Sequence, residues 1–165
     1  MDFAKQDSRK IAEKGQKMRL VDPVSREPLG TTAKPATVIV RGSVSRTVQA
    51  HVREKQRALK AAEAAGDSAD LECMEDLHNR LIDAAIPFII GFENVTYAGV
   101  DAKDVEALAR AVLNTSFPTM KVKTDEDGEA VLGKDGEPKY EMANYPLASQ
   151  ITDFADDQAN WRGNA

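Results

Sequence analysis

The sequence is poor in the residues from which disulfides and most metal sites are built. It contains one cysteine, Cys73, and two histidines, His51 and His78, among 165 residues. A single cysteine excludes an internal disulfide and any multi-cysteine metal site. The two histidines lie on helices that we expect to pair, but without a fixed carboxylate partner they make a poor metal site. We therefore expect no metal and no cofactor, and we expect Cys73 to be an inert, partly buried thiol within a helix.

Large apolar side chains are also scarce. Leu, Ile, Val and Phe together account for 35 residues, whereas 24 residues are alanine. This content lies just above the level at which a charged chain stops folding, so it predicts a thin and largely helical core. The sequence also contains no Ser–His–Asp set, glycine-rich phosphate loop or paired-carboxylate motif. These features predict that the protein is not an enzyme.

Long apolar runs are absent as well. The mean hydropathy is −0.44, and no stretch approaches the roughly 18 apolar residues of a membrane-spanning helix. The first ten residues, MDFAKQDSRK, are charged and lack the apolar segment of a secretory signal. We therefore expect neither a membrane span nor an export signal.

Charge is present in abundance but is distributed unevenly. Residues 1–65 carry a net charge of +7 and residues 66–165 a net charge of −12. Such polarity favours charge-steered contacts with a partner or head-to-tail contacts between copies, although both ends are also compatible with solvated surfaces. The basic run at 41–60 is one candidate for nucleic-acid binding, but it has no aromatic residue and the whole chain is acidic, which disfavours that function.

The first third of the chain predicts a helix followed by a β-hairpin. A short polar helix over 3–14 is ended by Gly15. Two segments with strand-like patterns, Lys17–Val21 and Ala36–Arg41, follow and are separated by a turn-rich loop. We expect these two strands to pair as a small antiparallel hairpin.

The middle of the chain predicts a helical core. Ser43 is the expected N-cap of a basic helix that runs to about residue 65, and a second helix is expected over 69–85. The short break between them predicts an antiparallel helical hairpin. The segment 86–92, Ile-Pro-Phe-Ile-Ile-Gly-Phe, is the most apolar in the chain, and we expect it to form either the centre of the core or a surface covered by a partner. Asp101-Ala102-Lys103-Asp104 then resembles a capping box with an acid at both ends, and we expect it to begin a further helix with an apolar stripe.

Residues 120–141 have a different character. Short strand-like stretches alternate with two Asp-Gly pairs, Asp127-Gly128 and Asp135-Gly136, which are strong signals for tight turns. We expect a protruding β-meander here. Asp125 and Asp127 have some likeness to a calcium-binding loop, but the spacing of acids and glycine does not fit one, and turn formation explains them better.

These patterns together predict an α+β fold. It has a mainly helical body, a small N-terminal antiparallel hairpin, a protruding β-meander and a last helix that begins near Pro146. We expect a single domain over 1–165. Its expected parts are an N-terminal helix and hairpin at 1–42, a helical core at 43–118, an inserted meander at 120–141 and a C-terminal helix at 145–161.

Four segments, in this order, resemble small proteins of long-tailed bacteriophages. Residues 21–29, VDPVSREPL, resemble a stretch written HP.TGEPL in those proteins, and residues 39–42, IVRG, follow it like their I.L.G strand. Residues 91–99 are similar to a GW.N…G segment, and residues 150–161 resemble a terminal QI..F..D.ANF. The resemblance covers nearly the whole chain apart from the meander. The proteins that the chain resembles are tail assembly chaperones.

The sequence departs from that pattern at several positions. Arg26 stands where the pattern has glycine, so the turn around it is expected to differ. Phe92 stands for a tryptophan and Trp161 for a phenylalanine, so both positions keep an aromatic ring. The meander is an apparent insertion.

The resemblance implies a non-enzymatic protein of the host cytoplasm. Tail assembly chaperones coat the long tape-measure protein, keep it soluble and help to recruit the tail-tube protein, and self-association is compatible with that role. We expect Phe88, Ile89, Phe92 and Trp161 to lie at or beneath the surface that binds the tape-measure protein. The alternative is a structural component of the virion, such as a small tail or connector protein.

Overall fold

The computed structural model describes residues 7–66 and 73–161. Within these ranges the chain forms α-helices, two short 3₁₀ helices and two antiparallel sheets, which confirms the predicted α+β class. The elements, in chain order, are α1 (Ser8–Lys14), β1 (Gln16–Arg19), β2 (Thr37–Val40), α2 (Arg46–Ala64), α3 (Met74–Ala85), a first 3₁₀ turn (Ile86–Phe88), β3 (Ile89–Glu93), α4 (Val105–Asn114), β4 (Met120–Val122), β5 (Tyr140–Met142), α5 (Leu147–Asp156) and a second 3₁₀ turn (Gln158–Trp161).

The main sheet has three strands in the order β1-β2-β3, all antiparallel to their neighbours. The predicted hairpin of β1 and β2 is confirmed, with Met18 opposite Val38. The third strand, β3, was not predicted: the second half of the apolar 86–92 segment pairs with β2 and places Phe92 opposite Val38. Met18, Val38 and Phe92 therefore share one face of the sheet.

The core lies between that face and three helices. Helix α3 packs against α5 and α4, while α5 also packs on β2 and α4 on β3. The predicted capping box would place the N-cap of this helix at Asp101, but α4 begins at the N-cap Asp104. The Asp104 carboxylate accepts a hydrogen bond from the Ala107 amide at 3.0 Å. Its buried side chains follow the predicted helical stripe: Leu108, Ala109, Val112 and Leu113.

Helix α2 differs from the prediction in two respects. Its N-cap is the buried Ser45, not Ser43, and the Ser45 hydroxyl accepts a hydrogen bond from the Val48 amide at 3.3 Å. It also packs on α1 and on the first 3₁₀ turn, whereas α3 packs mainly on α5. The predicted antiparallel pairing of these two helices is therefore wrong, because the apolar stripe of α2 beyond Val48 is left exposed.

The starting residues of two helices also differ from the prediction. The predicted helix over 3–14 is seen from Ser8, and residues 3–6 lie outside the described ranges; Gly15 ends it with a φ of 80°. The second helix of the middle segment begins at Met74, and the part of the prediction at 69–72 lies outside the described residues as well.

The protruding meander is confirmed. Strands β4 and β5 pair with Met120 opposite Met142, and the chain between them returns as a third extended segment in which Val131 bonds to the backbones of Lys123 and Lys139. Both predicted Asp-Gly turns are present: Gly128 and Gly136 adopt positive φ angles of 84° and 82°.

Candidate functional site

An open groove lies along the segment that the sequence predicts to be central. It has a volume of about 330 Å³ and runs between the start of α2, the first 3₁₀ turn with β3, and the start of α4. Its wall is mainly aliphatic, with four polar side chains among the lining residues. The lining residues are Arg41, Thr47, His51, Ile86, Pro87, Ile89, Ile90, Val105, Glu106 and Ala109.

The groove exists because proline and a short strand interrupt helical structure at this point. Pro87 cannot continue the ladder of α3, since it lacks an amide hydrogen, and the chain forms a 3₁₀ turn before β3 begins. The Arg41 amide donates to the Phe88 carbonyl at 2.7 Å, which joins the end of β2 to that turn. The apolar edge of the turn is thereby left facing the start of α2 across the groove.

One end of the groove is charged. The Arg41 side chain approaches Glu13 of α1 with 3.7 Å between Nε and Oε1, and Nε has no hydrogen-bond partner among the described residues. Glu13 also accepts hydrogen bonds from the hydroxyl and the amide of Thr47 in the first turn of α2. These hydrogen bonds, the hydroxyl one foremost, lower the pKa of Glu13 below its ordinary value. The carboxylate therefore acts as a second cap for α2.

Two of the four predicted partner-binding residues belong to the core. Ile89 and Trp161 are 6% and 3% exposed. The Trp161 indole donates to the Ala155 carbonyl at 2.8 Å and meets the Phe154 ring edge to face at 5.9 Å. Trp161 thus lies beneath the surface, where it holds the C-terminal turn to the body.

Phe88 and Phe92 are partly exposed and pack against the core. Of the four predicted residues Ile89 lines the groove, together with Ile86, Pro87 and Ile90. That Phe88, Ile89, Phe92 and Trp161 lie at or beneath a partner-binding surface stays a prediction.

The residues that carry the phage resemblance have internal structural tasks. Gln150 is 3% exposed, and its amide bonds to both backbone groups of Val21, which fixes the turn-rich loop to α5. Asn94 has a φ of 56° and donates to the Pro35 carbonyl at 3.0 Å. These contacts show how the resembling segments hold the described body together.

Arg26 lies in the turn that the sequence expects to differ from the resembling proteins. Its φ is 63°, the left-handed conformation that glycine adopts most readily. The turn is stabilised by Asp22, whose carboxylate accepts the amides of Val24 and Ser25. The Arg26 guanidinium lies over the Tyr145 ring at 4.3 Å.

The two histidines are not brought together as a site. His51 lines the groove, whereas His78 is buried. The Nε2 atom of His78 lies 2.9 Å from Asn114 Oδ1, and its ring packs on the Phe117 ring.

Cys73 is exposed at the N-cap of α3, so the expectation of a partly buried thiol within a helix is wrong. In the described ranges no group of three or more His, Cys, Asp or Glu is arranged to hold a metal ion.

Turn formation accounts for the acidic residues of the meander. Asp125 Oδ1 accepts the amides of Asp127 and Glu129, both at 3.0 Å, so this carboxylate organises the turn itself. The interpretation as a turn is confirmed.

The basic segment considered for nucleic acid forms much of α2. A shallow cleft of about 590 Å³ between α1 and α2 is lined in part by Arg9, Arg46 and Arg53. Across residues 7–66 and 73–161, no helix has the length and apolar character needed to cross a bilayer.

Comparison with known proteins gives no further guide, because no family profile, curated protein or solved structure matches the chain.

Proposed function

We propose that this chain is a tail assembly chaperone of a long-tailed bacteriophage, which acts in the host cytoplasm and binds the tape-measure protein. The observation that supports this proposal is the open aliphatic groove along Ile86–Ile90. A tape-measure protein is a long helix-former with apolar faces. A helix that places side chains at every third or fourth position into such a groove is a common mode of peptide recognition.

The shape of the groove suits weak, repeated binding. It is open at the surface and small, so each copy buries only a few partner side chains and gives modest affinity. Many copies along one tape-measure chain would together hold it soluble, because linked weak sites bind far more tightly than one site alone. The coated tape-measure protein would then recruit the tail-tube protein. No chemical step is part of this function, so the proposal is of a non-enzymatic protein.

The test is co-expression with the tape-measure protein encoded by the same phage. Two variants place a charge in the groove: Val105→Asp at the first position of α4, where an acid suits the helix N-terminus, and His51→Glu on α2. Each should weaken binding by about tenfold, or 1.4 kcal/mol, and move the tape-measure protein into the insoluble fraction. Val24→Asp is the matched control, because Val24 is 79% exposed on a distant loop.

Circular dichroism and thermal melting establish that each variant is folded. Retained solubility of the tape-measure protein with folded Val105→Asp and His51→Glu contradicts the assignment of the groove. If the wild-type chain itself fails to keep the partner soluble, the proposed function is wrong.

The second candidate is a structural component of the virion, and the meander favours it. Protruding β-structure is well suited to join neighbouring subunits. Mass spectrometry of purified particles separates the two candidates: a chaperone is absent from mature virions, whereas a structural component is present in many copies.

A further inference from the structure

One face of the meander is apolar and uncovered. Because Met120 pairs with Met142 and Val122 with Tyr140, these four side chains share a face. The bridges Thr124–Ala130 and Leu132–Pro138 continue the same alternation. The large apolar side chains of this face are all exposed: Met120, Val122, Leu132, Tyr140 and Met142, at 37–62%. We call these five residues the meander face.

The opposite side of the meander is charged. Lys121 lies across from Glu141, and the two side chains form an ion pair at 3.3 Å. The meander is therefore amphipathic in the way that a two-layer structure requires, but within 7–66 and 73–161 no element covers its apolar face. The turn at 124–129, TDEDGE, adds four acidic residues beside the meander face.

The distal part of α2 has the complementary character. Helix α2 is 19 residues long, and Val48 is its buried residue, so the helix extends beyond the body from about residue 52. Val52 and Leu59 are 38% and 51% exposed and lie on one stripe seven residues apart. The helix carries five basic residues and two acidic ones. We call residues 52–64 the distal α2 surface.

The meander face and the distal α2 surface are complementary in secondary structure and in charge. A helix with an apolar stripe is the usual second layer on the apolar face of an antiparallel sheet. The basic side chains of α2, such as Arg53 and Lys60, would lie near the acidic turn of the meander. Both surfaces are exposed in the same molecule, so a chain does not cover its own meander with its own α2.

We propose that the meander face of one copy binds the distal α2 surface of a second copy. The contact is head-to-tail, because each chain contributes a different surface, and such contacts extend into open chains or rings instead of stopping at a dimer. This inference does not depend on the proposed function, because no residue of the meander face or of the distal α2 surface lines the groove.

The test uses two complementary double variants. Leu132→Asp/Tyr140→Asp removes the meander face and leaves α2 intact, and Val52→Asp/Leu59→Asp does the reverse. All four positions are exposed, so both variants should fold. Sedimentation velocity is measured for the wild type, for each variant and for an equimolar mixture, with Val24→Asp as the control.

The expected results are specific to a head-to-tail contact. The wild type and Val24→Asp form species larger than a dimer as concentration rises, and each double variant alone is a monomer. The mixture forms a one-to-one heterodimer and nothing larger, because one functional surface of each kind remains. Raising the salt from 0.1 M to 1 M weakens association, since the screening length falls from about 10 Å to 3 Å.

Other outcomes overturn the inference. A monomeric wild type at high concentration does so directly. If Leu132→Asp/Tyr140→Asp still associates, the contact joins identical α2 surfaces and the meander has no part in it. If the nucleic-acid-free protein is a monomer and assembles only when a DNA or RNA duplex is added, α2 serves nucleic acid instead of a second copy.

Discussion

Gly42 lies at a point where the chain leaves no room for a side chain, and this gives a sharp prediction about stability. A Cβ added at Gly42 would lie 2.6 Å from Cδ2 and 2.7 Å from Cε2 of Trp161, and 2.8 Å from the Ala12 Cβ. Neither neighbour is the end of a flexible side chain. The indole is held by its hydrogen bond to the Ala155 carbonyl.

Gly42→Ala should therefore destabilise the protein by overpacking. Such substitutions cost about 1–3 kcal/mol, and for a chain of this size about 2 kcal/mol lowers Tm by roughly 4–8 °C. Gly42 does not have a positive φ angle, so the cost would arise from contact with the ring and not from backbone strain.

Urea unfolding followed by tryptophan fluorescence is the assay, because Trp161 is the one tryptophan of the chain and is buried. Gly91→Ala is the matched control: it lies in β3, and an added Cβ there meets no atom within 4 Å. The control should change the free energy of unfolding by less than about 0.5 kcal/mol. Equal effects of the two substitutions, or an unchanged Gly42→Ala protein, would refute the packing described around Trp161.

Three further predictions concern polar contacts. Gln150→Leu should cost about 2 kcal/mol in urea unfolding, since it removes a buried amide that satisfies backbone groups of the loop. Tyr145→Phe loses the 2.6 Å hydrogen bond to Asp153. Burial and that bond raise the pKa of Tyr145 to about 12. The stability that the protonated hydroxyl contributes in the wild type is therefore lost as pH rises from about 10 to 12, and the variant does not show this loss. Because hydrogen bonds from Thr47 lower the pKa of Glu13, the wild type should lose stability as pH falls below the ordinary pKa of a glutamate, and Glu13→Gln should not show this loss. Thermal melts across pH check the predictions for Tyr145 and Glu13.

Local patterns predicted much of this fold. The alternation in β1 and β2, the apolar stripe of α4 and the Asp-Gly turns of the meander each depend on residues close in sequence, and each is present. Strand β3 could not be predicted in this way. A short apolar run containing Pro87 is compatible with a buried helix or a strand, and its partner β2 lies about fifty residues earlier.

Exposure was the harder property to predict. The stripe of Val48, Val52 and Leu59 correctly indicates one apolar face of α2, but periodicity does not reveal what covers a face. The expected cover was α3, and only the first turns of α2 are packed. For Trp161 the sequence left open whether the ring lies at or beneath a surface, and the structure buries its indole beside Gly42 and Phe154.

Hydrogen exchange of the chain, alone and mixed with the tape-measure protein that we propose as its partner, tests the proposed binding groove most directly. If the groove binds this partner, amide exchange becomes slower at the start of α2, across residues 86–90 and at the start of α4 when the partner is bound. Unchanged exchange in these three segments, under conditions in which the partner is held soluble, would contradict it.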